Sequence, residues 1–169
     1  MTVAQEIPVF TAQQLAEAFA RNVRVIKMQV NGLTHSDSLL QPPVRGNCLN
    51  WVLGHIAIHR DLILEALGEE KILSQAAAAR YGSGSEPILG EGEGLLPLET
   101  LLAALDQGQE RIAAVLGQGN AETLTREIPF SGRSVSAAQH AFFLYFHDTY
   151  HVGQAELLRQ LAGKNDKVI

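Results

Sequence analysis

Six histidines stand in this chain of 169 residues, and four of them fall into two pairs spaced four apart, His55 with His59 and His147 with His151. On a helix that spacing puts two side chains on the same side, about 6 Å apart along the axis. Two imidazoles so placed can grip one metal ion. Random placement of six histidines over this length would give roughly 0.2 such pairs. Both pairs also fall among apolar residues, where an unpartnered imidazole is costly and either a metal ion or a hydrogen-bond network offsets the desolvation. One such pair alone is ambiguous, whereas two facing helices that each carry one favour a metal site over hydrogen-bonded core histidines. Spacing does not fix which three or four nitrogens bind, because His55 and His59 share a face within about 40° of arc.

Other candidates read differently. His140 lies on the stripe of His147 but about 10 Å earlier, too far for the same ion, so a packing or pocket role suits it better. His35, beside Ser36 and Asp37, reads as a solvated loop residue. Tyr150 and Gln154 flank the C-terminal pair, where they are placed to orient a ligand or to serve as ordinary polar edge residues. Cys48 precedes His55 by two turns, too far for shared coordination, and reads as a small buried hydrophobe. Phe142, Phe146 and Gly153 form a second stripe that suits a neighbouring helix or a second subunit. Glu65, Asp148 and Glu156 fall off the histidine stripe, so the sequence names no general base.

The elements that must position these groups are helices. HAFFLYFHDTYHVGQAELLRQLAG is a long helix with Ser134 or Ser136 as N-cap, Gln139 at capping-box distance from Ser136, and Gly163 as its stop. Its inward stripe runs through Phe143, Leu144, His147, Tyr150, His151, Gln154, Leu158 and Leu161. A second helix, capped by Asn47 or Asn50 and ended by Gly68, puts Trp51, Val52, His55, Ile58, His59, Leu62 and Ala66 on one face. Thr11 and Gln14 open an earlier helix with Leu15, Phe19, Asn22, Ile26, Val30 and Leu33 in period, after an arm over residues 1–10. Pro97 fits the first turn of another, with Leu98, Leu101, Leu105, Ile112 and Leu116 in register up to Gly117 and Gly119. Between them, residues 34–46 read as a surface loop because of Pro42 and Pro43. Residues 69–80 read as a short Ala-rich helix, and Tyr81–Gly94 as a glycine-rich loop suited to cover a pocket. The segment 120–132 is a connector with at most a short extended piece at 127–130. Four long helices, no repeats and no convincing strand pair predict an all-α fold, a four-helix bundle with long connecting loops, as one domain over 1–169.

Composition narrows the function. A net charge of −5 and a pI near 5.6, with no basic run, provide no electrostatic footprint for nucleic acid. No secretion signal or membrane-spanning stretch is readable, so a cytoplasmic protein is expected. The single cysteine rules out an intramolecular disulfide and a thiolate cluster for structural zinc.

WVLGHIAIHRD in the second helix and FHDTYHVGQAELLRQLAG in the last, with the N-terminal helix and the long middle loop, resemble the DinB-like family of bacterial four-helix-bundle metalloproteins. The resemblance covers nearly the whole chain. It implies a divalent ion held by His55, His147 and His151, with His59 as a departure that leaves room for a fourth nitrogen; imidazole suits zinc, nickel, copper and iron alike, and zinc or nickel is expected. It also implies a homodimer and, from the wider superfamily, S-transferases and isomerases that use low-molecular-weight thiols. Three neutral imidazoles leave the ion's charge uncompensated and a coordination position free, the pattern of a catalytic site. The expected function is a metal-dependent enzyme, a thiol-dependent transferase or a hydrolase acting on a small molecule. The alternatives are a metal-binding stress-response protein without turnover, and a structural bundle with hydrogen-bonded histidines.

Overall fold

The computed structural model describes residues 11–119 and 121–169, so the arm expected at residues 1–10 lies outside the described residues. Helix α1 (Ala12–Val30) starts where Thr11 and Gln14 exchange side-chain and backbone hydrogen bonds in a capping box, and it buries Leu15, Phe19, Asn22, Ile26 and Val30 as its period predicts. The connector that follows is not all loop. Thr34 and Asp37 form a second capping box and wind one turn, α2 (His35–Ser38), ahead of the two prolines that stop it.

Helix α3 (Leu49–Leu67) is capped by Cys48 without a side-chain bond, not by Asn47 or Asn50. Asn50 is instead fully buried, where it donates to the Leu96 carbonyl and accepts from the Tyr81 hydroxyl. Gly68 ends the helix at φ 90°, the left-handed conformation that glycine adopts without strain. Nearly every residue of α3 is buried, because α5, α7 and the short α4 (Gln75–Tyr81) cover it on three sides. Asp61 ties down the connector after α3 by accepting from the Ile72 and Leu73 amides at 2.8 and 2.9 Å.

Helix α5 (Leu98–Gly117) buries Leu98, Leu101, Leu105, Ile112 and Leu116, as their register predicts. The connector after it holds more structure than its sequence signals. A short helix α6 (Ala121–Thr125) leads into an antiparallel hairpin of β1 (Glu127–Phe130) and β2 (Arg133–Ser136), in which Ile128 pairs with Val135. The expectation of no strand pair is therefore corrected. The strands have four residues each and turn through Ser131 and Gly132, both at positive φ, too short for a period-two pattern to show. Ser136 then caps α7 (Ala137–Leu161) in a capping box with Gln139.

Helices α1, α5, α3 and α7 form an all-α four-helix bundle, each packed on two of the others in the ring α1, α5, α3, α7. The core is split. One apolar cluster gathers Ile26, Leu53, Ile56, Leu101, Leu105 and Ala155, and the other gathers Phe19, Ile63, Leu64, Ile112, Ala141 and Leu144. Between them a polar waist crosses every long helix, with Asn22 from α1, His59 and Arg60 from α3, Gln109 from α5, and His147 and Asp148 from α7.

Candidate metal centre

Helices α3 and α7 lie side by side and bring both histidine pairs together at the waist. The His59 and His147 rings stack with centroids 3.8 Å apart, and His55 stands 5.1 Å from His147 and 5.0 Å from His151. One ring nitrogen each from His55, His59 and His147 lies within 4.8 Å of the others, close enough to share an ion. His151 Nε2 sits 3.1 Å from His147 Nε2. All four imidazoles thus form one cluster, and His59 belongs to it.

Two of the four are oriented from behind. His55 Nδ1 lies 2.8 Å from the Tyr81 carbonyl, which can only accept, so the proton is on Nδ1 and the Nε2 lone pair is bare. His151 Nδ1 likewise donates to Gln154 Oε1 at 2.6 Å, which bares its Nε2 toward His147. Tyr150 continues that chain through a longer 3.4 Å contact with the Gln154 amide. Trp51 stacks on His55 with centroids 4.4 Å apart and closes its other face.

This donor set fits a divalent cation. With no proton on His151 Nε2, the contact to His147 holds only while His147 keeps its own proton on Nε2. His147 Nδ1 is then a buried acceptor with nothing to accept from, and His59 Nδ1 is also buried without a partner. Moving the His147 proton to Nδ1 instead leaves bare lone pairs on His55, His147 and His151, which a cation relieves and a hydrogen bond among them cannot. Electrostatics keep the imidazoles neutral. Burial, and then repulsion from the neighbouring rings, pushes His59 down to about 3 and His147 down to about 4, and burial lowers His55 and His151 as well.

Directly behind the cluster, Arg60 Nη2 meets Asp148 Oδ2 at 2.6 Å, with both side chains 1% exposed. Arg60 also donates to the Phe19 carbonyl and Gln109, and its guanidinium lies over the Phe19 ring. Asn22 donates to Thr149, one residue beyond Asp148. Sequence patterning placed Asp148 off the histidine stripe and gave Arg60 no role. The signal available was a pair of opposite charges, each immediately following a cluster histidine.

Several other expectations are resolved here. Cys48 is fully buried and its thiol is pushed up by desolvation, as befits a small hydrophobe. His35 is not a solvated loop residue, because its Nδ1 accepts from the Leu98 amide at the start of α5 and its Nε2 lies 3.2 Å from Glu91. Phe143 and Tyr150, placed on the inward stripe by counting, are 45% and 61% exposed. The inward side of α7 is rotated toward α1, where Asp148 takes a place that pattern reading reserves for carbon. His140 stays apart from the cluster and faces Phe130, centroids 4.8 Å apart.

No curated protein matches the sequence. The family model described as the DinB superfamily matches residues 14–155, a span that includes α3 and α5 whole, most of α1 and α7, and both histidine pairs, and the chain belongs to that superfamily.

Proposed function

We propose that the protein is a metal-dependent enzyme whose divalent ion, zinc or nickel, is held by His55, His147 and His151. The observation that carries this is the pair of back-side hydrogen bonds, Tyr81 carbonyl to His55 and Gln154 to His151, which leaves two Nε2 lone pairs bare at one cluster. Imidazole nitrogen suits both metals. When bound, the ion supplies Lewis-acid chemistry that makes a thiol or a water nucleophilic near neutral pH. The chain's own groups hold and orient it. Tyr81 and Gln154 fix tautomers, Trp51 shields His55 from water, and the buried Arg60 and Asp148 pair sets the distance between the two ligand-bearing helices.

A small molecule is the substrate class, and the wider superfamily's use of low-molecular-weight thiols favours thiol transfer over hydrolysis. His59 supplies a fourth nitrogen beside the ligand trio. A second copy of the chain is the proposed protein partner, supported by Tyr150 and Leu157, which stand 61% and 67% exposed on α7 with open space over Gly153 between them. A cytoplasmic place of action is part of the same proposal; among the described residues no helix is long and apolar enough to cross a membrane.

Metal analysis of the purified protein tests the site. One equivalent in wild type, lost in His147→Ala/His151→Ala, is expected, and equal trace metal in both removes the site. Thiol-transfer and hydrolase panels on zinc- and nickel-loaded protein test turnover. A flat result with metal bound favours the metal-binding stress-response alternative.

A further inference from the structure

A cavity lies between the hairpin and the first turns of α7. Its volume is about 470 Å³, within the size range of small-molecule sites, and its walls include Phe130, Phe143 and Phe146. Phe130 packs on Phe143 at a centroid distance of 5.0 Å, and Phe143 and Phe146 are 45% and 66% exposed, so these rings present apolar surface outward. Four polar residues, Arg133, Ser134, Gln139 and His140, break the aromatic wall. Arg133, exposed on β2, has no ion-pair partner among the described residues, while Glu127 on the neighbouring strand is engaged by the Ser134 hydroxyl. His140 lines the same wall, with its Nδ1 buried and without a hydrogen-bond partner.

His140 precedes His147 by seven residues, which returns it to the same side of α7 about 10 Å along the axis. That distance is the length of a small organic molecule. We propose that this cavity is the substrate subsite of the histidine cluster and takes an anionic small molecule with an aromatic or branched apolar body. The apolar body packs among Phe130, Phe143 and Phe146, and Arg133 pairs with the anionic group, with His140 in the wall on the side of α7 that leads to the cluster. The pocket rests on the proposed metal function for its purpose, but not for its existence.

Two dyes of the same shape test it, the anionic anilinonaphthalene sulfonate and its neutral relative phenylnaphthylamine. The sulfonate should bind the folded protein saturably, at one per chain. Arg133→Ala should weaken it about tenfold while leaving the neutral dye unchanged. Phe143→Ala should weaken both dyes, and loading with zinc should tighten the anionic dye alone. Thermal melts of the same samples identify any variant that fails to fold, in which case Phe146→Ser replaces Phe143→Ala. No binding, or binding indifferent to both Arg133→Ala and the phenylalanine variant, overturns the pocket. Affinity unchanged by zinc overturns its link to the cluster. The metal content of these samples is read separately, so a chain that binds dye as expected but no metal sinks the enzymatic reading and leaves the pocket standing.

Discussion

Arg60 and Asp148 meet at 2.6 Å in the centre of the bundle, and each directly follows a histidine of the cluster, His59 and His147. The pair therefore joins the two helices that carry the cluster, one residue away from it. Removing one partner strands a buried charge. Asp148→Asn or Arg60→Met alone should cost about 3–5 kcal/mol in urea unfolding, whereas Arg60→Met/Asp148→Leu should recover most of that loss. Metal affinity should remain weakened in the double variant, because apolar side chains restore packing without restoring the spacing of α3 and α7. Recovery of both properties together would show that the pair has no part in positioning the histidines.

Gln154→Ala isolates tautomer control. It removes the acceptor on His151 Nδ1 at a half-buried position, so stability should change little while zinc affinity falls about 10–100-fold, as read by competition with a chromophoric chelator. Unchanged affinity would mean that His151 is oriented by something else.

Gly54→Ala tests how Tyr81, the last residue of α4 and not part of the loop expected over Tyr81–Gly94, is coupled to His55. A Cβ at Gly54 would come within 2.1 Å of Tyr81 Cδ1, and Tyr81 is fully buried with nowhere to retreat. A cost of at least about 2 kcal/mol is expected, with a Tm lower by roughly 4–8 °C, together with weaker metal binding because the Tyr81 carbonyl holds His55. A well-folded Gly54→Ala protein with normal metal affinity would contradict this arrangement.

The pH dependence of the metal-free protein has a definite sign. The cluster histidines titrate below the ordinary value of about 6.5 in the folded state, with His59 at about 3 and His147 at about 4, while in the unfolded chain they take up protons near that ordinary value. Between those limits the unfolded state binds more protons, so stability is full above about pH 6.5 and falls as the pH drops toward 4. Urea midpoints measured across that window should fall, and more shallowly in His59→Gln/His147→Gln. Parallel slopes would place the acid sensitivity elsewhere.

The bundle was legible because its signals are local: capping residues Thr11 and Ser136, the stop at Gly68, and apolar periods in α1 and α5 that the structure buries, except for Leu33, which lies half-buried past the end of α1. The nearness of the two histidine pairs was legible for the same reason, since each pair sits on one face of its own helix. What stayed hidden depends on contacts between distant segments. Arg60 with Asp148, Asn50 with Tyr81 and Leu96, and His35 with Leu98 each turn a polar residue inward to a partner 31 to 88 residues away, which no window of periodicity contains. The hairpin was missed for a different reason, being shorter than the pattern that would announce it.

The division of the core into two carbon-packed ends with a charged and imidazole-bearing middle has an evolutionary consequence. The ends hold the four helices together by carbon packing, so the central layer can change its donors and charges while the scaffold stays intact, provided its buried charges change as matched pairs. A bundle built this way can keep its architecture across a lineage while exchanging one reaction for another.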